Sequence, residues 1–436
     1  MKYSELVLRR FSLALACVVL VFSSCESTSS DDEETAEVEY DYALIATGQT
    51  TLYDHDGAVL SSLSEGDDFY GQDANYLKGK TMMYVDNGDS TITDENTGLM
   101  WQEIPIPDGL MWDEAVEYCE NLVLAGYDDW RMPSLKELYS ISNFGMGWPY
   151  LDTTYFKLAS GLVDKSEQFW SSNKYVGSTV EGGYNAAFGV NHVTGHIKAY
   201  PASMSVGGEE DDMLTPPESD GGPEGTDIAS SDSTGSVAPP PMDDGASSAT
   251  SSPLTKHVRA VRGDTYGVNE FTDNEDGTIS DAATGLMWSQ DDEGEQLNWE
   301  DALSYAENST LAGYTDWRLP NVKELQAIVD YSYAPGAIDE SLNRAAIDPI
   351  FSCTQITNEA GDLDYGYYWT STSANFVSGQ PYYYAWYVAL GRAVNGEGLD
   401  YHGAGAVRFD TKYEGGPLGE GGERYYNFVF LVRDIE

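Results

Sequence analysis

Two acidic segments carry the oxygen-rich side chains that calcium prefers. Residues 86–94 read DNGDSTITD and residues 273–281 read DNEDGTISD. A calcium loop of the EF-hand type needs acidic or amide groups at alternate positions and glycine at the sixth, but the sequence that starts at Asp273 has Thr278 there. A hairpin turn between two short strands explains the same residues. The spacing favours the hairpin, and no metal site is predicted.

Other reactive side chains are few. His192 and His196 could meet on a strand and its turn, but no cysteine or third histidine stands at metal-ligand spacing, so we interpret both as solvent-exposed. The serine-hydrolase signature, the P-loop and the dinucleotide-binding glycine turn are absent. The sequence therefore predicts no catalytic residue, metal or cofactor.

The triplet Asp-Trp-Arg occurs twice, at 129–131 and 316–318. Each copy lies between two predicted helices, where a forked arginine that binds carboxylates or carbonyls would hold the turn. We therefore assign a structural role to four residues of the triplets. They are Trp130, Arg131, Trp317 and Arg318.

The densest aromatic stretch reads YYYAWY at 382–387. On a strand, Tyr382, Tyr384 and Trp386 share one face, and a tyrosine or tryptophan face can stack on a sugar ring or a protein. These three residues, with Tyr401, are the candidate ligand-binding residues. Burial of both faces of the strand explains the stretch equally well.

An internal repeat decides the domain organisation. Residues 97–101 and 284–288 both read TGLMW, and residues 124–131 (LAGYDDWR) recur as LAGYTDWR at 311–318. The offset of 187 holds without a gap from residue 86 to residue 138. The chain therefore contains two copies of one domain, which we place at 41–263 and 264–436.

Each copy has the pattern of two helices followed by strands. Apolar residues recur with a helical period from Trp112 and from Trp299, and a second helix begins with a capping box at Ser134 or Asn321. Short aromatic and β-branched runs follow, and the closing strand is predicted at 258–261 or 429–432. The pattern predicts an α+β fold with a mostly antiparallel sheet in each copy.

The remaining segments are acidic or apolar. Residues 202–254 contain no lysine or arginine and are rich in Ser, Gly and Pro, which predicts a disordered insertion in the first domain. Residues 1–24 have a basic start and an uncharged apolar run, which is typical of a signal peptide. Cys25 follows small residues, as a lipidated cysteine does, and 25–40 is an acidic tether. A plain secreted protein is the alternative.

The net charge of the chain limits the classes of molecule that it can bind. The chain has 22 basic and 73 acidic residues and a formal net charge of −51. Nucleic acids and sulfated polyanions would be repelled by such a surface. The lone cysteines of the two copies, Cys119 and Cys353, define no disulfide framework, and whether they pair is left open.

The motifs DNGDxTxTDxxTGLMW, LAGYxDWRxPxxKEL and a Tyr-Trp-Thr-Ser strand resemble the Lcl C-terminal domain family, named for a Legionella collagen-like adhesin. Residues 47–73 resemble the leader that often precedes this domain. The resemblance implies a C-type-lectin-like fold and a surface adhesin that binds sulfated polysaccharide, although the acidic charge argues against that ligand.

Three functions remain open at this point. We expect a lipid-anchored cell-surface protein, at the outer membrane or cell surface, that binds a glycan or a protein without catalysis. A structural envelope protein that packs on a partner is the alternative, and an enzyme of a related fold is the third. The ligand, the oligomeric state, calcium binding and the side of the membrane are not determined by the sequence.

Overall fold

The computed structural model describes Tyr40 and residues 42–203, 254–377, 379–417 and 424–435. The predicted signal peptide, Cys25, the tether up to Glu39 and residues 204–253 of the insertion lie outside these residues. Within the described ranges, no helix is long and apolar enough to cross a bilayer.

The elements confirm the α+β class, with short helices and mostly antiparallel strands. The helices are α1 (Asp73–Tyr76), α2 (Trp112–Glu120), α3 (Leu135–Ser140), α4 (Trp299–Glu307) and α5 (Val322–Ala327). The strands before the second copy are β1 (Leu52–Tyr53), β2 (Val59–Leu60), β3 (Tyr84–Asp86), β4 (Thr91–Asp94), β5 (Met100–Gln102), β6 (Gln168–Lys174), β7 (Ala186–Asn191), β8 (Ile197–Pro201) and β9 (Val261–Arg262). The second copy has β10 (Phe271–Asp273), β11 (Thr278–Asp281), β12 (Leu286–Ser289), β13 (Gln355–Thr357), β14 (Leu363–Tyr365), β15 (Tyr367–Ala374), β16 (Tyr384–Ala389), β17 (Val407–Thr411) and β18 (Val432–Asp434).

The acidic segments are hairpins, as the spacing predicted. Strands β3 and β4 pair antiparallel in the first copy, and β10 and β11 pair in the second. Within the turns, Asp86 accepts from the Gly88 amide at 2.8 Å, and Asp273 accepts from the Glu275 amide at 2.7 Å. The carboxylates thus stabilise tight turns, a common role of aspartate.

The closing strands begin three residues later than predicted. Strand β9 starts at Val261 and β18 at Val432, and each completes a four-stranded sheet, in the orders β3-β4-β5-β9 and β10-β11-β12-β18. The apolar residues before them, such as Val258 and Val429, are buried without belonging to these strands. Apolar alternation marks burial and does not locate the ladder hydrogen bonds, which explains the shift.

One sheet runs through both copies. Its order is β15-β16-β17-β8-β7-β6, and the two copies join where Val407 of β17 is paired with Ile197 of β8. Strands β15, β16 and β17 of the second copy are equivalent to β6, β7 and β8 of the first, so equivalent strands follow in the same order from either edge of the sheet. The copies are therefore arranged as an approximate two-fold pair about this central antiparallel contact.

The sheet is buried on both faces. On one face α3 and α5 contact each other and cover a core that includes Phe188 of the first copy and Trp386 of the second. On the other face each copy builds its own core, around α2 in the first and α4 in the second. Consecutive residues of β7 show this alternation, since Ala187 belongs to the outer core and Phe188 to the shared core.

The leader, residues 42–76, lies across the second copy although it precedes the first. The Tyr42 amide donates to the carbonyl of Ala283 at 3.2 Å, and the Tyr76 hydroxyl donates to Glu307 at 2.5 Å. Further along the chain, Lys412 donates to the carbonyl of Asp54 at 2.9 Å. The leader therefore joins the two copies.

Candidate functional site

The arginines of the triplets hold the second helix of each copy. Arg131 donates to both carboxylate oxygens of Glu137 at 2.6 Å, and Arg318 donates to both oxygens of Glu324 at 2.6 and 2.7 Å. Each glutamate also accepts from the amide that begins the helix, Ser134 or Asn321, at 2.8 Å. The fork and the capping box therefore share one carboxylate.

The tryptophans of the triplets close the loop before them. Trp130 Nε1 donates to the carbonyl of Leu124 at 3.3 Å, and Trp317 Nε1 donates to that of Leu311 at 3.0 Å. Both rings are buried. These contacts occur in both copies and are consistent with the structural role proposed for the triplets.

The tyrosine and aspartate of the same motif hold the closing strand. The guanidinium of Arg262 lies 3.8 Å from the Tyr127 ring and donates to Asp129 at 2.7 Å. The guanidinium of Arg433 lies 3.9 Å from the Tyr314 ring in the second copy, and it donates to Asp316 at 2.8 Å. The repeated motif thus packs against the strand that ends each copy.

The candidate ligand-binding aromatics do not form an exposed stacking face, which corrects the reading of this stretch as a binding surface. Tyr384 and Trp386 are fully buried in the shared core, where Trp386 contacts Phe144 and Tyr150 of the first copy. Tyr382 precedes β16 and stacks on Tyr53 of the leader, with ring centroids 4.1 Å apart.

Tyr401 is half-buried and lies beside His402, with ring centroids 6.4 Å apart. The structure does not bring it together with the aromatic stretch of β16. The other face of that strand is also covered, because Tyr387 belongs to the outer core of the second copy.

The two histidines on the β7–β8 turn are buried, so the prediction that they face solvent was wrong. His192 has no exposed surface and lies against Phe169, and His196 lies against Trp386. Burial holds the pKa of His192 well below its ordinary value, so that ring is neutral. Among the described residues, no group of three or more His, Cys, Asp or Glu side chains is placed to hold a metal ion. Cys119 and Cys353 are both free thiols.

The leader fills a space between the copies, which we call the filled cleft. It is bounded by α5 and β15 of the second copy and by residues 141–145 of the first. Lys323 Nζ donates to the carbonyl of Ala46 at 3.1 Å, and the Phe144 amide donates to that of Thr47 at 2.7 Å. Gln49 exchanges two 2.8 Å hydrogen bonds with the backbone of Ser373. The leader is thus bound mainly through its main chain and one amide side chain.

A buried carboxylate completes the filled cleft. Asp73 accepts from the hydroxyls of Thr47 and Thr372, each at 2.7 Å. Burial raises the pKa of Asp73 to about 6. The hydroxyl of Thr372 also accepts from the Val322 amide at the start of α5, so it links the helix to the leader.

The two-fold relation places an equivalent space on the other side of the molecule, and this one is open. The open cleft has a volume of about 420 Å³ and lies between α3 and β6 of the first copy and residues 328–332 of the second. Several residues that hold the leader have counterparts here. Four of these counterparts are Lys136 for Lys323, Asn173 for Thr372, Gly267 for Lys80 and Tyr331 for Phe144.

Hydrogen-bond donors of the open cleft lack protein partners. Within the described ranges, the backbone amides of Gly267 and Tyr331 and the side-chain NH2 of Asn173 donate to no protein acceptor. Their counterparts in the filled cleft donate to Leu44, Thr47 and Asp73. Water can reach these donors in the open cleft, and a ligand with oxygen acceptors would replace that water bond for bond. The open cleft is therefore suited to a molecule rich in oxygen acceptors.

The lysines of the two clefts differ in exposure and in what they bind, since Lys136 is half-buried and Lys323 is buried. Lys136 donates to the carbonyl of Gly267 at 3.1 Å and to Asn269 at 2.8 Å, whereas Lys323 donates to Ala46 of the leader and to Ser140. Burial lowers the pKa of Lys136 to about 8 and that of Lys323 to about 7. Lys136 therefore remains largely protonated at neutral pH, more so than Lys323.

The comparisons identify the family. A family model described as the Lcl C-terminal domain matches residues 90–207 and 277–409, together more than half of the chain. The chain belongs to this family. Searches of curated proteins and of solved structures returned no match.

The two Lcl C-terminal domains confirm the tandem repeat expected from the sequence, and the family is one associated with bacterial surface adhesins. The open cleft was missed by sequence reasoning, although one signal for it exists. Only eight residues separate the last strand of the first copy, which ends at Arg262, from β10, which starts at Phe271. The second copy therefore has no leader of its own, and the single leader fills one of the two equivalent clefts.

Proposed function

We propose that this chain is an adhesin-type protein of the bacterial cell surface that binds a glycan or protein ligand without catalysis. The observation that carries the proposal is the open cleft, which keeps unpartnered donors at a place where its two-fold counterpart is filled. The residues that line the cleft include no histidine or cysteine, and the one hydroxyl–carboxylate contact among them, Ser332 to Asp330 at 2.6 Å, belongs to a local turn in which the Ser332 amide also donates to Asp330. Such an arrangement suits recognition and offers no catalytic constellation.

The architecture and location form part of the same proposal. We propose that each copy has a C-type-lectin-like fold. We also propose that a signal peptide at 1–24 is removed and that the chain is then anchored by a lipid on Cys25. The acidic tether at 25–40 would then separate the domains from the membrane. The domain limits 41–263 and 264–436 are retained, with the leader crossing to the second copy. The net charge of −51 disfavours sulfated ligands and nucleic acids.

Binding to glycan arrays and to immobilised matrix proteins tests the recognition role. The full chain with Cys25→Ser is compared with the same chain carrying Ser332→Trp, which places a large ring at the mouth of the open cleft. We expect saturable binding that the second change abolishes. A chain that binds nothing on either surface would refute the proposal.

Cell fractionation tests the anchor. Metabolic labelling with a fatty-acid analogue should mark the wild-type chain, and Cys25→Ser should release it from the membrane fraction. Unlabelled wild-type protein in the medium would instead support plain secretion.

A second candidate function is a structural envelope protein that packs on a partner, and one surface favours it. A groove of about 620 Å³ in the first copy is lined by apolar side chains, among them Ile106, Leu122 and Val123. The corresponding residues of the second copy are Glu293, Ser309 and Thr310. An apolar groove confined to one copy is typical of an interaction surface. Val123→Glu would abolish co-purification of a fixed partner if this function applies, and would leave ligand binding unchanged.

A further inference from the structure

We infer that the open cleft binds an extended peptide segment donated by another protein chain. This inference rests on the proposed function and narrows its ligand class from glycan or protein to an extended polypeptide. It is argued from the filled cleft, where the same molecule shows how such a segment is held.

The main chain of the leader supplies most of the bonds in the filled cleft. The carbonyls of Leu44, Ala46 and Thr47 accept from Lys80, Lys323 and Phe144 at 2.7, 3.1 and 2.7 Å. Ile45 forms a parallel β-bridge with Lys80, so the leader is extended here, and main-chain bonds of this kind are the way a strand is added to a folded protein. A ligand that presents carbonyls in this way is recognised largely without regard to its side chains.

The open cleft repeats the donor side of this arrangement. The amides of Gly267 and Tyr331 stand in the places of the amides of Lys80 and Phe144. The amine of Lys136 stands in the place of that of Lys323, but it donates to Gly267 and Asn269 of its own cleft. The two amides have no acceptor within the described ranges. Asn173 offers its side-chain NH2 where Thr372 offers a hydroxyl to the carboxylate of Asp73. The ligand is therefore a peptide with an acceptor side chain, or a free carboxylate, at that position.

At two positions the open cleft has a different residue from the filled cleft, and these differences indicate how the ligand differs from the leader. Gly145 lets the leader approach closely, because a Cβ there would lie 2.0 Å from the carbonyl of Gly48, and its counterpart is Ser332. Asp330 replaces Asn143 beside it. The ligand therefore passes farther from the protein at Ser332 than the leader does at Gly145, and it carries no carboxylate next to Asp330.

The first probe is a fluorescein-labelled peptide with the sequence of residues 43–51, ALIATGQTT, measured by anisotropy on the full chain with Cys25→Ser. Ser332→Gly removes the Cβ that obstructs a leader-like path, so we expect it to lower the Kd at least fivefold. Ser332→Trp should raise the Kd at least tenfold. Ser332 is exposed, so neither change disturbs the core.

Controls separate the open cleft from other sites on the chain. Val163→Trp adds the same ring at an exposed position of the first copy that lines neither the open cleft nor the apolar groove, and should leave the Kd unchanged. A peptide of the same composition in scrambled order should bind with a Kd within a few fold, because the cleft recognises main-chain carbonyls rather than side chains. Equal binding of the peptide to the wild type, Ser332→Gly and Ser332→Trp would overturn the inference, because binding would then occur elsewhere.

The outcomes also separate this inference from the proposed function. If a glycan or matrix protein binds the chain and the peptide binds neither the wild type nor Ser332→Gly, the peptide class is overturned and the adhesin function stands. If neither the peptide nor any arrayed ligand binds, both are overturned. Peptide binding that Ser332→Trp removes supports both.

Discussion

At the scale of single residues, one glutamate in each copy does two jobs. Glu137 and Glu324 cap the second helix and bind the triplet arginine through both carboxylate oxygens. The two sites differ in exposure, since the Arg131 side chain is 36% exposed and that of Arg318 only 4%. The arginine of this motif is therefore accessible to water in the first copy and shielded from water in the second.

We expect Glu324→Ala to destabilise the protein more than Glu137→Ala. Removing one partner of a buried ion pair costs about 3–5 kcal/mol, because a charge is left without compensation. In the first copy water reaches Arg131, so the loss there should be on the order of 1–2 kcal/mol, mostly from the lost cap. Urea unfolding of the two variants measures the difference. Equal losses would show that exposure does not set the strength of this pair.

Asp73 should make stability depend on pH between about 4 and 6. Burial raises its pKa from 3.8 to about 6, so the folded state binds a proton that the unfolded state has already released. As pH rises through this window, ionisation of the buried group therefore costs stability, by at most about 3 kcal/mol. Below pH 4 the cost is absent.

The comparison with Asp73→Asn isolates this residue from the many surface acids. An asparagine oxygen can still accept from Thr47 or Thr372 and does not ionise. The variant should gain stability relative to the wild type as pH rises from 4 to 7. A constant difference in unfolding free energy over that range would contradict the burial-raised pKa.

At the scale of elements, β16 shows why an aromatic strand resists interpretation from sequence. Alternate residues of this strand enter two different cores, one shared between the copies and one belonging to the second copy. Such a strand has no solvent face, so its pattern is the same as that of a strand with one binding face and one core face. The position of β16 inside a six-stranded sheet, buried on both faces, decided between the two explanations that the sequence left open.

Trp386→Ala should weaken both copies together. The ring contacts Phe144 and Tyr150 of the first copy, and its loss leaves a cavity in the shared core that costs about 3–5 kcal/mol. Thermal unfolding followed by calorimetry should show one transition at a lower temperature. Tyr401→Ala, at a half-buried position, is the matched control and should cause a smaller shift. Two separated transitions in the Trp386 variant would argue that the copies unfold independently.

At the scale of the whole molecule, the two copies complete one another. The central pair β8–β17 leaves neither copy with an exposed inner edge, and the leader of the first copy packs on the second. Exposed sheet edges and large apolar faces promote aggregation. Each copy thus covers the surface that the other would otherwise expose.

Separate expression of residues 41–263 and 264–436 tests this dependence. We expect each fragment alone to be poorly soluble or self-associated, because separation exposes the edge of β8 or β17 and the shared core. Co-expression should recover a soluble one-to-one complex, detected by size-exclusion chromatography with light scattering. Two well-behaved monomeric fragments would show that each copy is independently stable.

The local features of this protein were predictable from the sequence. The repeat is visible on direct comparison of the two segments of sequence. The hairpins at 86–94 and 273–281, the helices that begin at Trp112 and Trp299 and the capping boxes depend on residues close together in the chain. Short-range hydrogen bonds and apolar periodicity determine such elements. The family resemblance drew on the same local motifs, and the family match confirmed it.

Only the tertiary structure decided which surfaces are free. The burial of Tyr384, Trp386 and His192 depends on the pairing of β8 with β17, residues more than two hundred positions apart. The open cleft depends on the same pairing and on a leader that crosses to the second copy. Contacts of such long range have no local signature, because a residue's type and spacing do not specify what packs against it. The sequence alone determined a duplicated α+β domain, and the arrangement of the copies determined where a ligand can bind.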